Sequence, residues 1–281
     1  MRLIAYCEGS TSFMAVEVTS GTMATISPLD DFYADTMAGL EMARARYADR
    51  QSPTRPLAEI RQIPPVPVTA RVLCAGVNYR RHAAEMGREL PTHPDLFARW
   101  ASTLVADGET VPVPVGDGRL DWEAELAIVV GATLSGASPE EAEAGLLGYT
   151  CFNDLSARGY QMATSQWALG KNADRSGPIG PAVVTPDELA GLPDLAIGSR
   201  VNGQVMQAAS TADLIFSPSQ ITSYASGAMT LRPGDVISTG TPDGVGFSRT
   251  PPVYLRPGDT VEVEIEGIGV IRNRIVNAGG A

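Results

Sequence analysis

After residue 70 the chain is a series of short apolar runs broken by glycine, proline and polar clusters, and most of these runs are too short for helices. Val72-Leu73-Cys74-Ala75-Gly76-Val77 reads as a buried strand ending in a polar turn. Further strands are predicted near Glu125 to Val130, Gly148 to Phe152, Leu195 to Val201, Asp235 to Ser238 and Thr260 to Glu266. Asn202-Gly203, set between Val201 and Gln204-Val205-Met206, has the composition of a type I′ hairpin turn. Two helices announce their starts: Ser138-Pro139-Glu140-Glu141 and Ser217-Pro218-Ser219-Gln220 each offer a serine N-cap, proline at N1 and an acid or amide at N3. The segment Leu-Arg-Pro-Gly-Asp occurs at 231 to 235 and again at 255 to 259, which predicts two similar turns feeding neighbouring strands. Ahead of all this, Phe13-Met14-Ala15-Val16-Glu17-Val18 and an alanine-rich helical run from Thr36 to Ala48 precede Pro64-Pro65-Val66-Pro67. The expected class is α+β and β-rich, with a small N-terminal domain and proline-rich linker over residues 1–67 and a larger mixed domain over 68–281.

One strand departs from ordinary patterning. In Asp121-Trp122-Glu123-Ala124-Glu125-Leu126-Ala127-Ile128-Val129-Val130, alternation puts Glu123 and Glu125 on one face. Their own face continues as Ala127 and Val129, so the two acids crowd one end of a strand otherwise buried on both sides. Carboxylates in such surroundings resist ionisation unless a cation lies between them. Val261-Glu262-Val263-Glu264-Ile265-Glu266 serves as a control, because there one face is uniformly acidic and the other uniformly apolar, as in a half-wet antiparallel strand. A third acid, Asp154, follows the run Gly148 to Phe152. Two glutamates and an aspartate, grouped with no histidine or thiolate, suit a hard divalent ion such as Mg²⁺, Mn²⁺ or Ca²⁺.

Composition narrows the chemistry. Lys171 is the sole lysine beside twenty arginines, and the ammonium and guanidinium groups are poor substitutes for one another in a tight polar site. Of the two histidines, His82 has Glu85 three residues on, within helical reach, so the carboxylate can orient the imidazole or share in taking a proton from water. His93 sits in a proline-flanked loop and is assigned no role. A net charge of −11 argues against a nucleic-acid partner. Cys7, Cys74 and Cys151 lack disulfide or metal spacing, which suggests reduced thiols and a cytoplasmic protein. The N-terminus lacks a secretory apolar region and no run approaches membrane-spanning length, so a soluble, unprocessed chain is expected. Thr239 to Gly246 has neither Rossmann nor P-loop spacing, and reads as a pocket loop rather than a nucleotide site.

Together these segments resemble the fumarylacetoacetate hydrolase family over about residues 70 to 275. The resemblance is carried by Gly76-Val77-Asn78-Tyr79 with His82 and Glu85, by Asp121-Trp122-Glu123-Ala124-Glu125, and by Asn153-Asp154-Leu155-Ser156-Ala157-Arg158. It continues through Gly170-Lys171, Pro178-Ile179-Gly180-Pro181 and Thr239-Gly240-Thr241-Pro242-Asp243-Gly244-Val245-Gly246. It implies a mixed β-sheet roll with a small N-terminal domain, a homodimer, and a divalent cation at Glu123, Glu125 and Asp154. It also implies that His82 and Glu85 activate water on a mobile lid, and that Lys171, Gln161, Thr241, Arg158 and Tyr79 serve the substrate. Two positions depart from the family pattern near the expected pocket: Arg99, in a segment read as lid and followed by Trp100, stands where lysine is common, and Gly159 where an acid is common.

The implied activity is hydrolysis of a carbon–carbon bond in a 2,4-dioxo acid of the acylpyruvate or fumarylacetoacetate type. Magnesium or manganese would take up the enolate charge, Lys171 and Gln161 would polarise the oxygens, and His82 with Glu85 would activate the water. Decarboxylation of oxaloacetate, keto–enol tautomerisation and dehydration of sugar acids use the same electron sink and remain open. A binding protein that has lost catalysis is the alternative outside enzymology, and the full complement of acids, His82, Glu85 and Lys171 weighs against it.

Overall fold

Every strand expected after residue 70 is present to within two residues, and both capped helices begin at their predicted serines with reciprocal capping boxes. The computed structural model describes residues 1–49, 51–189, 192 and 194–278. In chain order the strands that frame the molecule are Arg2–Glu8 (β1), Thr11–Thr19 (β2), Thr22–Pro28 (β3), Arg71–Gly76 (β4), Asp95–Trp100 (β5), Thr110–Pro112 (β6) and Ala124–Val130 (β7). They are followed by Leu146–Asn153 (β8), Gly177–Val184 (β9), Ala196–Val201 (β10), Gln204–Ser210 (β11), Val236–Ser238 (β12), Thr260–Ile265 (β13) and Gly269–Val276 (β14). The helices are Leu29–Ala34 (α1), Thr36–Ala48 (α2), Arg80–Glu85 (α3), Pro139–Ala144 (α4), Arg158–Met162 (α5), Ala168–Lys171 (α6) and Pro218–Ala228 (α7).

A twelve-stranded mixed sheet runs β3-β2-β1-β9-β8-β7-β12-β4-β5, with the two-residue strands Arg55–Pro56 on β3, Arg61–Gln62 on β1 and Leu104–Val105 on β9, and is antiparallel except where β12 lies parallel to β4 and Leu104–Val105 to β9. A five-stranded sheet, β11-β10-β13-β14-β6, packs beside it. The segment 1–67 thus enters the main sheet directly: β1 pairs with β9 at Arg2 opposite Val184 and Leu3 opposite Val183. Strand β7 lies in the middle of the main sheet and is buried throughout. Its alternation separates two cores, with Ala127 and Val129 in one and Ala124, Leu126, Ile128 and Val130 in the other. Among the described residues no helix is long and apolar enough to cross a membrane.

Turn chemistry follows the sequence. Asn202 and Gly203 both take positive φ, 51° and 80°, as a type I′ hairpin requires. The two Leu-Arg-Pro-Gly-Asp copies build the same turn: Asp235 Oδ2 accepts from Arg232 N at 2.8 Å and Asp259 Oδ2 from Arg256 N at 2.7 Å. The strands they feed are not neighbours, however. The first leads into β12 of the main sheet and the second into β13 of the smaller one, because the same turn can serve any strand entry.

Candidate active site

The acids expected from alternation converge. Ligand oxygens of Glu123, Glu125 and Asp154 lie within 4.8 Å of one another, and all three residues are buried. Strand β7 starts at Ala124, so Glu123 sits one residue ahead of it, yet the pairing with β8 continues: Asp154 N donates to Glu123 O at 3.0 Å and Glu123 N to Asn153 Oδ1 at 3.1 Å. Two strand ends therefore deliver the three carboxylates to one point.

Lys171 reaches the same point from α6. Its Nζ donates to Glu123 Oε2 at 2.7 Å and Asp154 Oδ2 at 2.6 Å. Gly170 makes this approach possible, since a Cβ there would lie 2.4 to 2.6 Å from Gln161 of α5. Burial works against the ammonium, but Asp154 and Glu123 outweigh it and hold the Lys171 pKa above the ordinary lysine value. Glu123 is the reciprocal case: burial would raise it, and Lys171 and Arg158 overcome that and bring it down to about 2.

A count of buried charge tests whether a cation fits. Asp121, Glu123, Glu125 and Asp154 are buried with three cations, Arg99, Arg158 and Lys171. Arg99 Nε holds Asp154 Oδ1 at 2.8 Å, and Arg158 pairs with Asp121 and Glu123, each at 2.8 Å. Among the described residues Glu125 alone of the four has no ion pair. It accepts from the Ser238 hydroxyl and from Gly240 N at 3.1 Å, and burial followed by the charges of Asp154 and Glu123 pushes its pKa well up. A hard divalent ion beside these oxygens would more than offset the single uncompensated carboxylate, so the donor set fits.

Glu123 and Glu125 open onto a cleft of about 80 Å³ lined by, among others, Val77, His82, Arg88, Gln161 and Thr241. Val77, β-branched at φ 45°, marks a strained backbone at the start of the segment leading to α3. His82 Nδ1 lies 2.9 Å from Glu85 Oε2. Burial raises the Glu85 pKa, but hydrogen bonds from His82, Ser248 and Gly244 N more than offset it, so the group stays below its usual value. Gln161 is buried and accepts from Arg158 Nη1 at 2.8 Å, and Thr241 Oγ1 donates to Ala124 O at 3.0 Å while accepting from Gln207 Nε2 at 2.8 Å.

Several expectations need correction. Tyr79 does not line the cleft; it is fully buried in the core between the sheets. Arg158 does line it, but its guanidinium is engaged by Asp121, Glu123 and Gln161. Arg99 and Trp100 belong to β5, not to a lid: Arg99 points into the interior and also bonds Leu155 O, Thr103 and Ser176, while Trp100 is 55 % exposed and away from the cleft lining. Gly159 has its own reason, because any Cβ would lie 2.5 to 2.6 Å from the Asp117 carboxylate, which also accepts from Tyr160 N. An acid at 159 would collide with another acid.

Two residues escape sequence reasoning. Asp121, which the sequence shows only as part of a motif, accepts from Trp122 N, Gly246 N, Phe247 N and Arg158, and so ties the pocket loop to the strand end. Ser248 bonds Glu85 from the far side of that loop. No local pattern announces either role, since every partner but Trp122 and Val245 is distant in sequence.

The family sequence model described as Fumarylacetoacetate (FAA) hydrolase C-terminal matches residues 71–276. The chain is 40% identical over 248 residues to a Bos taurus protein named oxaloacetate tautomerase FAHD2A, mitochondrial, covering 88% of this chain and 79% of the relative. It is 40% identical over 250 residues to the Homo sapiens protein of the same name, with 88% and 79% covered. Among solved structures, a putative HpcE protein from Mycobacterium smegmatis superposes with a TM-score of 0.88 at 34% identity, covering 99% of this chain and 100% of that one. The fumarylacetoacetate hydrolase from psychrophilic Exiguobacterium antarcticum gives a TM-score of 0.83 at 31% identity, with 99% and 100% covered.

Proposed function

The chain belongs to the fumarylacetoacetate hydrolase family, and from that premise we propose that it interconverts the keto and enol forms of a small 2-oxo dicarboxylate such as oxaloacetate, with a divalent cation at Glu123, Glu125 and Asp154. The observation that carries this reading is a proton donor and a proton acceptor facing one small cleft. Lys171 is held as the ammonium by two carboxylates, and His82, with Nδ1 on Glu85, has Nε2 left to work.

A bound magnesium or manganese ion would act as a Lewis acid toward the substrate's 1-carboxylate and 2-oxo oxygen. The chain's own residues do the rest. His82 Nε2 takes a proton from C3, the electron pair moves into the C2–C3 bond, and the C2 oxygen takes a proton from Lys171 Nζ, with exchange with solvent restoring both side chains; the reverse steps return the keto form. Glu85, a carboxylate at working pH, holds the imidazole by Nδ1 and stabilises it while it carries the proton. Lys171 supports negative charge on the oxygens at the moment it develops. Arg88 favours a diacid: it lines the cleft, and its guanidinium has no ion pair or hydrogen bond among the described residues, whereas Arg158 and Lys171 are committed. The relatives named oxaloacetate tautomerase support the same choice.

Hydrolysis of a 2,4-dioxo acid is the second reading, favoured by the His82–Glu85 pair, which suits water activation equally well. The test is an ultraviolet assay of metal-free protein with enol oxaloacetate, with and without Mn²⁺, with acetylpyruvate in parallel. Tautomerisation predicts Mn²⁺-dependent loss of the enol without pyruvate release, abolished in Glu125→Gln. Release of acetate and pyruvate from acetylpyruvate, with enol oxaloacetate untouched, would establish the hydrolase instead. Pyruvate formed from oxaloacetate would point to decarboxylation.

A further inference from the structure

Helix α3 has six residues, too few to stand without tertiary support. Its two ends are fastened differently. At the start, Arg81 N donates to Asp213 Oδ2 at 3.0 Å, and Tyr79 bridges to Leu214. At the finish the fastening is one side chain, Glu85, whose two oxygens have separate partners. Oε2 lies 2.9 Å from His82 Nδ1, while Oε1 accepts from Gly244 N at 3.1 Å and from the Ser248 hydroxyl at 2.7 Å. The Ser248 hydroxyl also lies 3.0 Å from Val245 O, and its single proton favours the shorter contact to a carboxylate.

The loop that receives Glu85 is itself fixed from below. Asp121 accepts from Gly246 N at 2.7 Å and Phe247 N at 3.1 Å, and the Phe247 ring lies 4.4 Å from the guanidinium of Arg158, which pairs with Glu123. One loop, 244 to 248, therefore spans the distance between the imidazole and the acids.

We infer that Ser248 is a positioning residue for His82: with Gly244 N it latches the end of α3 through Glu85 Oε1 and so fixes the imidazole over the cleft. This rests on the assignment of His82 as the base. Glu85 then serves as imidazole partner through one oxygen and as latch through the other. A serine hydroxyl suits the task because it adds a directed donor without adding charge beside the acids.

The test compares full-length wild type, Ser248→Ala and Ser248→Thr, with Mn²⁺ and enol oxaloacetate, alongside amide hydrogen exchange over residues 80–86. Loss of one hydrogen bond to a charged acceptor predicts about a tenfold lower kcat in Ser248→Ala, with KM within about twofold. The threonine variant should recover most of the rate. Exchange over 80–86 should speed up in Ser248→Ala and return in Ser248→Thr, while exchange over 124–130 stays unchanged. Unchanged exchange in Ser248→Ala overturns the latch, and faster exchange with unaltered kcat overturns the positioning role. If wild type turns over none of the 2-oxo acids, the proposed function fails by that result alone, and the exchange measurement still decides the latch.

Discussion

Two strands of this chain alternate acids with apolar residues, and they do opposite things. On β13, Glu262 and Glu264 face outward and pair with Arg272 and Arg200, while Val261, Val263 and Ile265 fill the core. On β7 and the residue before it, Glu125 and Glu123 point inward among buried arginines and the lone lysine. The difference lies in the neighbours that share the acids' own face: on β7 that face continues as Ala127 and Val129 into a core. Burial of a carboxylate is costly unless compensated, so the inward acids recruit charge from three distant parts of the chain. The outward acids need only an exposed partner.

The comparison is broken most forcefully by removing a cation that pairs with the acids of each strand. In chelator, Lys171→Ala leaves Glu123 and Asp154 short of charge in the interior, and denaturant unfolding should show a loss of about 3–5 kcal/mol. Arg200→Ala, which frees Glu264 at the surface, should cost less than about 1 kcal/mol. Equal losses would mean that the two strands do not differ as their burial says. A smaller effect comes from acid. The folded Glu123 pKa, about 2, lies below the ordinary 4.5, so its contribution is complete above that ordinary value and is lost as pH falls toward 2. Stability of metal-free wild type should therefore decline across this window more steeply than that of Glu123→Gln, and parallel curves would remove Glu123 from the account. The smallest effect is expected for Glu264→Gln, within about 0.5 kcal/mol of wild type.

The acids are legible in the sequence because periodicity is local: alternation puts Glu123 and Glu125 on one face, and the apolar run before Asp154 puts it at a strand end. Lys171 is legible through its rarity, and the His82–Glu85 contact through helical spacing. Whatever sheet order brings together is not legible. Arg99 meets Asp154 across fifty-five positions, and Ser248 meets Glu85 across one hundred and sixty-three. Arg99 is misplaced because the family resemblance reads its segment, Phe97 to Ser102, as lid, whereas pairing with β4 at Arg71 to Gly76 makes Asp95 to Trp100 a strand. Tyr79 fails in the opposite way, since a motif position beside an active site need not face it. The repeated Leu-Arg-Pro-Gly-Asp shows the same division, its turn readable and the destination of its strands not.

Strand β9 has β8 on one side and β1 on the other, and its residues are nearly all buried. The strand that covers it comes from the region ahead of residue 71, outside the matched family segment. Gly177 and Pro178 keep Leu104 and Val105 as partners, but without Arg2 and Leu3 the other end of that edge, at Val183 and Val184, would be unpaired backbone, the kind of edge that recruits other chains into ribbons. Arg2 and Leu3 therefore cover the Val183–Val184 end of that edge, and an exchange of the leading segment between relatives would have to bring a replacement for this pairing with it.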